Sequence, residues 1–196
     1  MPAKLEENMM KNSIRSLRTL SLAAALITGA ASLAYAVDPM VGGAPMLASK
    51  TIVENASQAK NLTTLVSAVK AAGLVDTLSG PGPFTVFAPT NEAFDKLPKA
   101  TVAKLMQPDM KADLTKILTY HVVAGKLDAA ELGKDIKAGG GSYTMKTVEG
   151  GPLTARMDGG KVVLIDAMGG GSVVEIPDVY QSNGVVHVIS SVLMPK

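Results

Sequence analysis

The chain of 196 residues contains no cysteine. Disulfides therefore cannot hold the fold together, and an apolar core has to stabilise it. The same absence excludes thiolate metal sites, thiol catalysis and a lipid anchor on an N-terminal cysteine. Aromatic residues are also scarce, at 4% of the chain, so aliphatic side chains and methionine have to fill the interior.

The sequence has no excess of either charge once its first 36 residues are set aside. The whole chain carries 19 basic and 17 acidic residues. Residues 1–36 hold four of the basic and two of the acidic ones, which leaves 15 of each. A neutral chain has no electrostatic field that attracts nucleic acid or an anionic membrane surface. We therefore expect neither of them as a partner.

Residues 1–36 have the composition of a secretory signal peptide. Their basic residues precede an apolar run over residues 20–33, and alanines occupy the −3 and −1 positions of a cleavage after Ala36. The alternative is a retained membrane anchor, but the run is shorter than the roughly 20 residues that a spanning helix requires. The sequence thus predicts export to the periplasm or the extracellular space, without stable membrane insertion after the signal is removed.

Between residues 37 and 196 the apolar pattern changes once: helical spacing prevails as far as Tyr120-His121, and strand-like runs follow. Residues 37–50 are rich in Gly, Pro, Ala and Met, show no period, and predict a flexible leader. The predicted helices cover residues 51–56, 61–72 (with Asn61 as N-cap), 100–106 and 109–119, a short one contains Phe94, and residues 127–132 form a brief helix at best. The predicted strands cover residues 84–88, 142–148, 152–157, 161–165, 172–176 and 185–193.

Helices in the first half and strands in the second favour an α+β fold over a parallel α/β sheet. No internal repeat is visible, and the length suits one domain with its own core. The predicted organisation is a signal peptide over residues 1–36, a flexible leader over 37–50 and a single domain over 51–195.

Few residues are suited to catalysis or metal binding. The two histidines, His121 and His187, lie in strongly apolar segments, where an imidazole is more often a buried hydrogen-bonding group than a base. No Gly-x-Ser-x-Gly nucleophile elbow and no phosphate-binding loop is present. Two histidines without nearby acidic residues make a poor zinc site. We predict a protein that is not an enzyme and that uses no metal or cofactor.

Three segments together resemble the conserved blocks of the fasciclin domain family. The first is Thr85-Val-Phe-Ala-Pro-Thr-Asn-Glu-Ala-Phe94, the second is Tyr120-His121 with the two valines that follow, and the third runs from Asn183 to Pro195. They occur in the family's order, and the resemblance covers residues 51–195. The resemblance implies structural roles for the residues that match the blocks, which are Thr85, Phe87, Pro89, Asn91, Phe94, Asn183, Gly184 and His187.

The resemblance implies a wedge of β-strands in two small sheets, flanked by a layer of helices. It also implies adhesion between cells, or between a cell and its matrix. The family's tyrosine-histidine motif is implicated in partner binding, which transfers to Tyr120 and His121; the alternative is that both only lock a helix-to-strand junction. A second adhesive motif transfers in part, to Pro177 and Asp178, because Ile176 replaces its acidic residue.

Two functions are compatible with these observations. The first is an exported fasciclin-like module that binds a protein, a matrix polymer or a cell-surface partner. The alternative is a carrier of a small apolar ligand such as a carotenoid-like pigment, since family members similar to this chain hold such pigments and methionines could line an apolar groove. The simpler explanation of the methionines is that they fill gaps in the core.

Overall fold

The structure is a computed structural model, and it describes residues 38–196. The predicted signal peptide lies outside the described residues. The helices are α1 (Ile52–Ala56), α2 (Thr63–Ala72), α3 (Val75–Ser79), α4 (Asn91–Asp95), α5 (Lys99–Leu105), α6 (Lys111–Tyr120) and α7 (Ala129–Ala138), and a 3-10 turn spans Pro108–Met110. The strands are β1 (Met40–Val41), β2 (Ala44–Pro45), β3 (Phe84–Pro89), β4 (Val122–Ala124), β5 (Ser142–Lys146), β6 (Pro152–Asp158), β7 (Lys161–Ile165), β8 (Gly171–Gln181) and β9 (Gly184–Ile189).

Seven of these strands form one sheet in the order β4-β3-β9-β8-β7-β6-β5, while β1 and β2 pair separately. The β3–β9 pair is parallel, and the other pairs are antiparallel. The first residues of β8 pair with β7 and the later ones with β9, so this long strand joins the two halves of the sheet. A single bridge between Val123 and Thr147 nearly closes the sheet on itself.

The central strands β3 and β9 are buried on both faces, which explains their continuous apolar sequences. Val86 of β3 and Val188 of β9 pack with the helical layer of α1, α2 and α6. Phe87 and Ile189 point to the opposite face and pack with β6, β7 and α7. The strands therefore separate two apolar clusters, and the expected α+β class with strands flanked by helices is confirmed.

Local signals in the sequence place several element boundaries. Helix α2 ends at Gly73, whose φ of 73° is left-handed and costs glycine little. The β6–β7 hairpin turns through Gly159 and Gly160, both with positive φ, as the Asp-Gly signal predicts. The N-terminus of α2 differs from the prediction, because Asn61 does not cap it. The side chain of Asn91 caps it instead, accepting a hydrogen bond from the Thr64 N–H at 3.0 Å.

Residues 40–46 differ from the predicted flexible leader. They form the β1–β2 hairpin, and Val41 and Met46 are 1% and 2% exposed within the main apolar cluster. The carboxamide of Asn55 fixes the segment that follows, since it donates to the Leu47 carbonyl and accepts from the Leu47 N–H. The leader lacks apolar periodicity because it contributes isolated apolar side chains to a core built elsewhere in the chain.

Two further elements are longer than predicted. Helix α7 has ten residues although only Leu132 and Ile136 are buried on it. Strand β8 continues past Ile176, and its register with β9 shifts once between Val174 and Ile176 and again between Ile176 and Val179. This β-bulge carries the strand around Pro177, which has no N–H for the ladder.

Candidate functional site

Tyr120 is fully buried at the end of α6 and joins three parts of the fold. Its hydroxyl donates to the Pro152 carbonyl at 2.6 Å and accepts from the Ala167 N–H at 2.9 Å. Burial raises the pKa of Tyr120. The phenol therefore stays neutral, and it ties the helix to β6 and to the loop that follows β7.

His121 is 2% exposed and binds backbone groups through both ring nitrogens. Nδ1 lies 2.8 Å from the Ile117 carbonyl, and Nε2 accepts the Leu193 N–H at 3.0 Å. An acceptor at Nε2 and a carbonyl at Nδ1 require the neutral tautomer that carries its proton on Nδ1. Burial lowers the pKa of His121 from 6.5 to about 4, which agrees with that neutral state.

His187 lies in β9 directly beside Phe87 of β3, and the two rings stack with centroids 5.6 Å apart. Its Nε2 donates to the Leu127 carbonyl at 2.8 Å, and its Nδ1 accepts the Asp178 N–H at 3.3 Å. Burial lowers the pKa of His187 as well. Neither histidine keeps a free nitrogen that could serve as a general base, and each has its own partners in the backbone.

The partner-binding role that the resemblance gives to Tyr120 and His121 is therefore not supported by their positions. Both side chains are enclosed, and their polar atoms are already bonded to the backbone. Their hydrogen bonds join α6 to β6 and to the C-terminal segment. A partner that touched either side chain would first have to open the core.

The other residues of the family blocks hold neighbouring elements together. The buried Thr85 hydroxyl donates to the Gly125 carbonyl at 2.8 Å and accepts the Leu127 N–H at 2.9 Å. Asn183 accepts from the Ile52 N–H at 3.0 Å and donates to the Leu78 carbonyl at 2.8 Å, so it fastens the β8–β9 turn to α1 and α3.

Gly184, Pro89 and Phe94 shape the same region sterically. A Cβ on Gly184 would lie 2.1 Å from the Phe84 carbonyl oxygen, so only glycine lets β3 and β9 approach this closely. Pro89 is the last residue of β3, and Phe94 returns to the core from α4 with 9% exposure. These positions explain the family blocks as packing requirements.

Pro177 and Asp178 lie at the bulge in β8 and are the predicted partner-binding residues that reach solvent. Pro177 is exposed and Asp178 is half-buried. Asp178 has a φ of 57°, a left-handed conformation that aspartate tolerates better than most residues. Its Oδ1 accepts the Ala129 N–H at 2.7 Å, at the start of α7, and its own N–H donates to His187. The bulge is thus fixed from both sides.

Three further side chains surround the bulge. The Lys126 ammonium lies 4.6 Å from the ring centroid of Tyr180, and the Tyr180 hydroxyl is 3.5 Å from Oδ2 of Asp128. Asp128 also caps α7 through the Glu131 N–H at 2.8 Å, and this hydrogen bond is the main reason why its pKa is lowered. Burial raises the pKa of Tyr180. We call Lys126, Asp128, Pro177, Asp178 and Tyr180 the bulge surface.

Asp166 is a structural residue that the sequence reasoning missed. Its Oδ1 accepts from the N–H groups of Met168 at 3.0 Å and Gly170 at 2.7 Å, and its Oδ2 accepts from the Met194 N–H at 2.9 Å. The carboxylate therefore folds the loop after β7 and binds the C-terminal segment. An aspartate followed within three residues by a run of glycines is a turn signal that could have identified it.

Two of the hollows formed by residues 38–196 lie near the candidate residues and differ in character. An apolar cavity of about 40 Å³ lies between α1, α2 and α3 and reaches Phe87 and His121. A more open cleft of about 400 Å³, with a mixed polar and apolar lining, lies where β3 begins and β8 turns into β9, and we call it the open cleft. Lys126 of the bulge surface also lines this cleft, so the two features are continuous.

Within residues 38–196, no group of three or more His, Cys, Asp or Glu side chains could hold a metal ion. No helix in that part of the chain combines the length and the apolar character that crossing a bilayer requires. The protein is thus an α+β domain in which the motif residues stabilise the interior by hydrogen bonds and packing. The candidate residues that reach solvent belong to the bulge surface, which is held in place by its own contacts.

Comparison with known proteins assigns this α+β domain to a family. The profile of the Fasciclin domain matches residues 60–195, and the chain belongs to the fasciclin domain family. It is 48% identical over 145 residues to protein sll1483 of Synechocystis, which covers 74% of this chain and 73% of that protein. It is 37% identical over 162 residues to the cell surface glycolipoprotein MPT83 of Mycobacterium tuberculosis, which covers 79% of this chain and 64% of that protein.

The fold is shared with a solved structure of low sequence similarity. The chain aligns with a FAS1 domain pair from the insect cell adhesion molecule Fasciclin I with a TM-score of 0.67 and 22% identity. The alignment covers 74% of this chain and 51% of the other. The family is associated with cell adhesion and with surface proteins.

Proposed function

We propose that the protein is exported and acts as an adhesion or interaction module, which binds a protein, a matrix polymer or a cell-surface partner through the bulge surface. The position of Pro177 and Asp178 carries this proposal, because Tyr120 and His121 are buried while these two residues are accessible. The mycobacterial relative is described as a cell surface protein, which supports export and a role at the cell surface.

The bulge surface suits binding because it is held in one conformation. Asp178 is bonded to α7 and to His187, while Lys126 and Asp128 are both in contact with Tyr180. A surface that is already ordered loses less conformational entropy when a partner binds. Exposed Tyr, Pro and charged side chains around a rigid turn supply both apolar contact area and directional polar groups.

The alternative function, a carrier of a small apolar ligand, finds less support in the described residues. The apolar cavity between α1, α2 and α3 has a volume of about 40 Å³. Sites for drug-sized ligands occupy roughly 300–1,000 Å³, so this cavity is about tenfold too small for a pigment. The absorption spectrum of the protein purified from its own envelope fraction tests this directly, since a visible band would restore the carrier hypothesis.

The interaction function can be tested by photo-crosslinking in the intact cell envelope. A benzophenone amino acid replaces Tyr180 in the full-length protein, and the envelope is irradiated and analysed by mass spectrometry. We expect one dominant adduct at this position, because Tyr180 is exposed and contacts both Lys126 and Asp128 of the bulge surface. The identity of the attached molecule then gives the class of partner.

Met157 provides the matched control position. It is 44% exposed, against 37% for Tyr180, but it lies at the end of the β6–β7 hairpin, outside the bulge surface. The same photo-reactive residue at position 157 should give no specific adduct. Equal labelling at both positions, or none at position 180 in a correctly exported protein, would contradict the proposal.

A further inference from the structure

The open cleft has one charged residue in its lining. It has a volume of about 400 Å³, and among the described residues that line it only Lys126 is charged. The rings of Pro81 and Pro83 and the hydroxyl of Ser182 are exposed along its walls. Clefts of this volume commonly hold small ligands. Apart from Lys126 and the two proline rings, the lining consists of neutral polar and backbone groups.

Lys126 is positioned by an aromatic ring and not by an acid. Its ammonium lies 4.6 Å from the ring centroid of Tyr180, within cation–π distance. The ion pair found within residues 38–196 joins Lys116 to Glu149, and no carboxylate there forms a salt bridge with Lys126. Because a π face neutralises no charge, the ammonium keeps its positive charge for an acceptor in the cleft.

The Asp128 carboxylate attracts Lys126 electrostatically but forms no ion pair with it, and its hydrogen bonds go to other groups. Asp128 accepts the Glu131 N–H at 2.8 Å through Oδ1, and its Oδ2 faces the Tyr180 hydroxyl at 3.5 Å. It therefore lies at the helix terminus, beside the cleft, and does not appear among the cleft-lining residues. Lys126 is therefore the one charged residue, among the described residues that line the cleft, to which an anion entering it could bind.

The backbone around the cleft disfavours an extended peptide as its ligand. Strand β3 is paired with β4 on one side and β9 on the other, and β9 is paired with β8. No free strand edge remains here to which a peptide could add. Exposed proline rings, a hydroxyl and one cation instead match the apolar ring faces, hydroxyl groups and carboxylate of an acidic sugar.

We propose that this cleft binds a uronate-bearing oligosaccharide, with the sugar carboxylate at the Lys126 ammonium, a pyranose face on Pro81 or Pro83, and a sugar hydroxyl at Ser182. The inference rests on the proposed interaction function and narrows its partner to an acidic polysaccharide of a matrix or cell surface. The carboxylate supplies selectivity over neutral glycans, since one charge-assisted hydrogen bond is formed only by the acid.

Calorimetric titration of the full-length protein tests the inference, with trigalacturonate as the acidic probe and a galactose trimer as its neutral counterpart. We expect the acidic trimer to bind and the neutral one to bind at least about tenfold more weakly, as loss of one charge-assisted bond predicts. The Lys126→Ala variant should lose about the same factor. Lys126→Arg should retain binding, which separates the need for charge from a packing effect.

Lys161→Ala is the matched control, because Lys161 is an exposed lysine at the β6–β7 turn and does not line the cleft. Its affinity for trigalacturonate should equal that of the wild type. A melting temperature of Lys126→Ala close to the wild-type value ensures that the comparison concerns binding.

Several results would overturn the inference: no binding at millimolar trigalacturonate, equal affinity for both trimers, or unchanged affinity in Lys126→Ala. Binding of a glutamate peptide with the same dependence on Lys126 would overturn the sugar class. If trigalacturonate fails while crosslinking at position 180 captures a protein, the sugar inference alone is wrong. If both experiments fail, the interaction function is wrong as well.

Discussion

The neutral, buried state of His121 predicts that acid destabilises the protein in a specific pH range. Its pKa is lowered from 6.5 to about 4 in the folded chain. Between these two values the unfolded state binds a proton that the folded state does not, so stability falls as the pH falls. From about pH 7.5 to about pH 4.5, this one group should cost on the order of 2.5 kcal/mol of unfolding free energy.

The His121→Phe variant isolates this contribution because it keeps most of the ring volume and cannot titrate. It leaves the Leu193 N–H without its acceptor, so it should be less stable than the wild type by about 1–3 kcal/mol near neutral pH. Its loss of stability on acidification should, however, be smaller than that of the wild type by about 2–3 kcal/mol. The stability difference between the two proteins therefore shrinks or changes sign in acid.

Urea unfolding followed by circular dichroism, at several pH values between about 7.5 and 4.5, measures both free energies. His187 and the carboxylates titrate in both proteins, so their contributions cancel in the comparison. Parallel pH profiles for wild type and His121→Phe would refute the reasoning, because they would show that His121 has the same pKa in the folded and unfolded states.

Three further predictions concern residues that hold neighbouring elements of the fold together. Thermal or urea unfolding measures the change in unfolding free energy for each variant. Tyr120→Phe should lose about 1–3 kcal/mol, because the Ala167 N–H loses its acceptor and the Pro152 carbonyl its donor. Asp178→Ala should lose about 1–3 kcal/mol through the missing α7 cap and an alanine at positive φ, whereas Asp178→Asn should lose less than about 1 kcal/mol. Gly184→Ala should lose more than about 4 kcal/mol or fail to fold, since the new Cβ meets a backbone oxygen at 2.1 Å. A stable Gly184→Ala protein would show that β3 and β9 can separate.

Periodicity and turn chemistry were sufficient to predict much of the fold. The apolar stripe of α2 with Gly73 behind it, and the Gly159–Gly160 turn of the β6–β7 hairpin, are local features that need no tertiary information. Helix α7 was underestimated because it buries only two residues and contains Gly133. Its first turn is capped by Asp128 and Asp178, and Asp178 lies 49 residues beyond Ala129, whose N–H it accepts.

The candidate site was less accessible to sequence reasoning. A tyrosine-histidine pair in apolar sequence does not reveal whether its polar atoms point to solvent or to backbone groups such as those of Pro152 and Leu193. Lys126 and Tyr180 meet only after the loop before α7 folds against β8. A surface assembled from distant segments leaves no local pattern in the sequence. The family resemblance therefore led to Pro177 and Asp178, but the neighbouring Lys126, Asp128 and Tyr180 could be identified only from the structure.

The bridge from Val123 to Thr147 affects how the protein resists aggregation at high local concentration. Exposed rows of amide and carbonyl groups invite identical molecules to stack through their backbones and to precipitate as fibres. Here β4 is only three residues long, and the chain returns from β5 to bond with it, as the Val148 N–H donating to the Val122 carbonyl at 2.7 Å shows. At the β4 edge, crowded copies of this protein would therefore have to meet through side chains rather than through main-chain pairing.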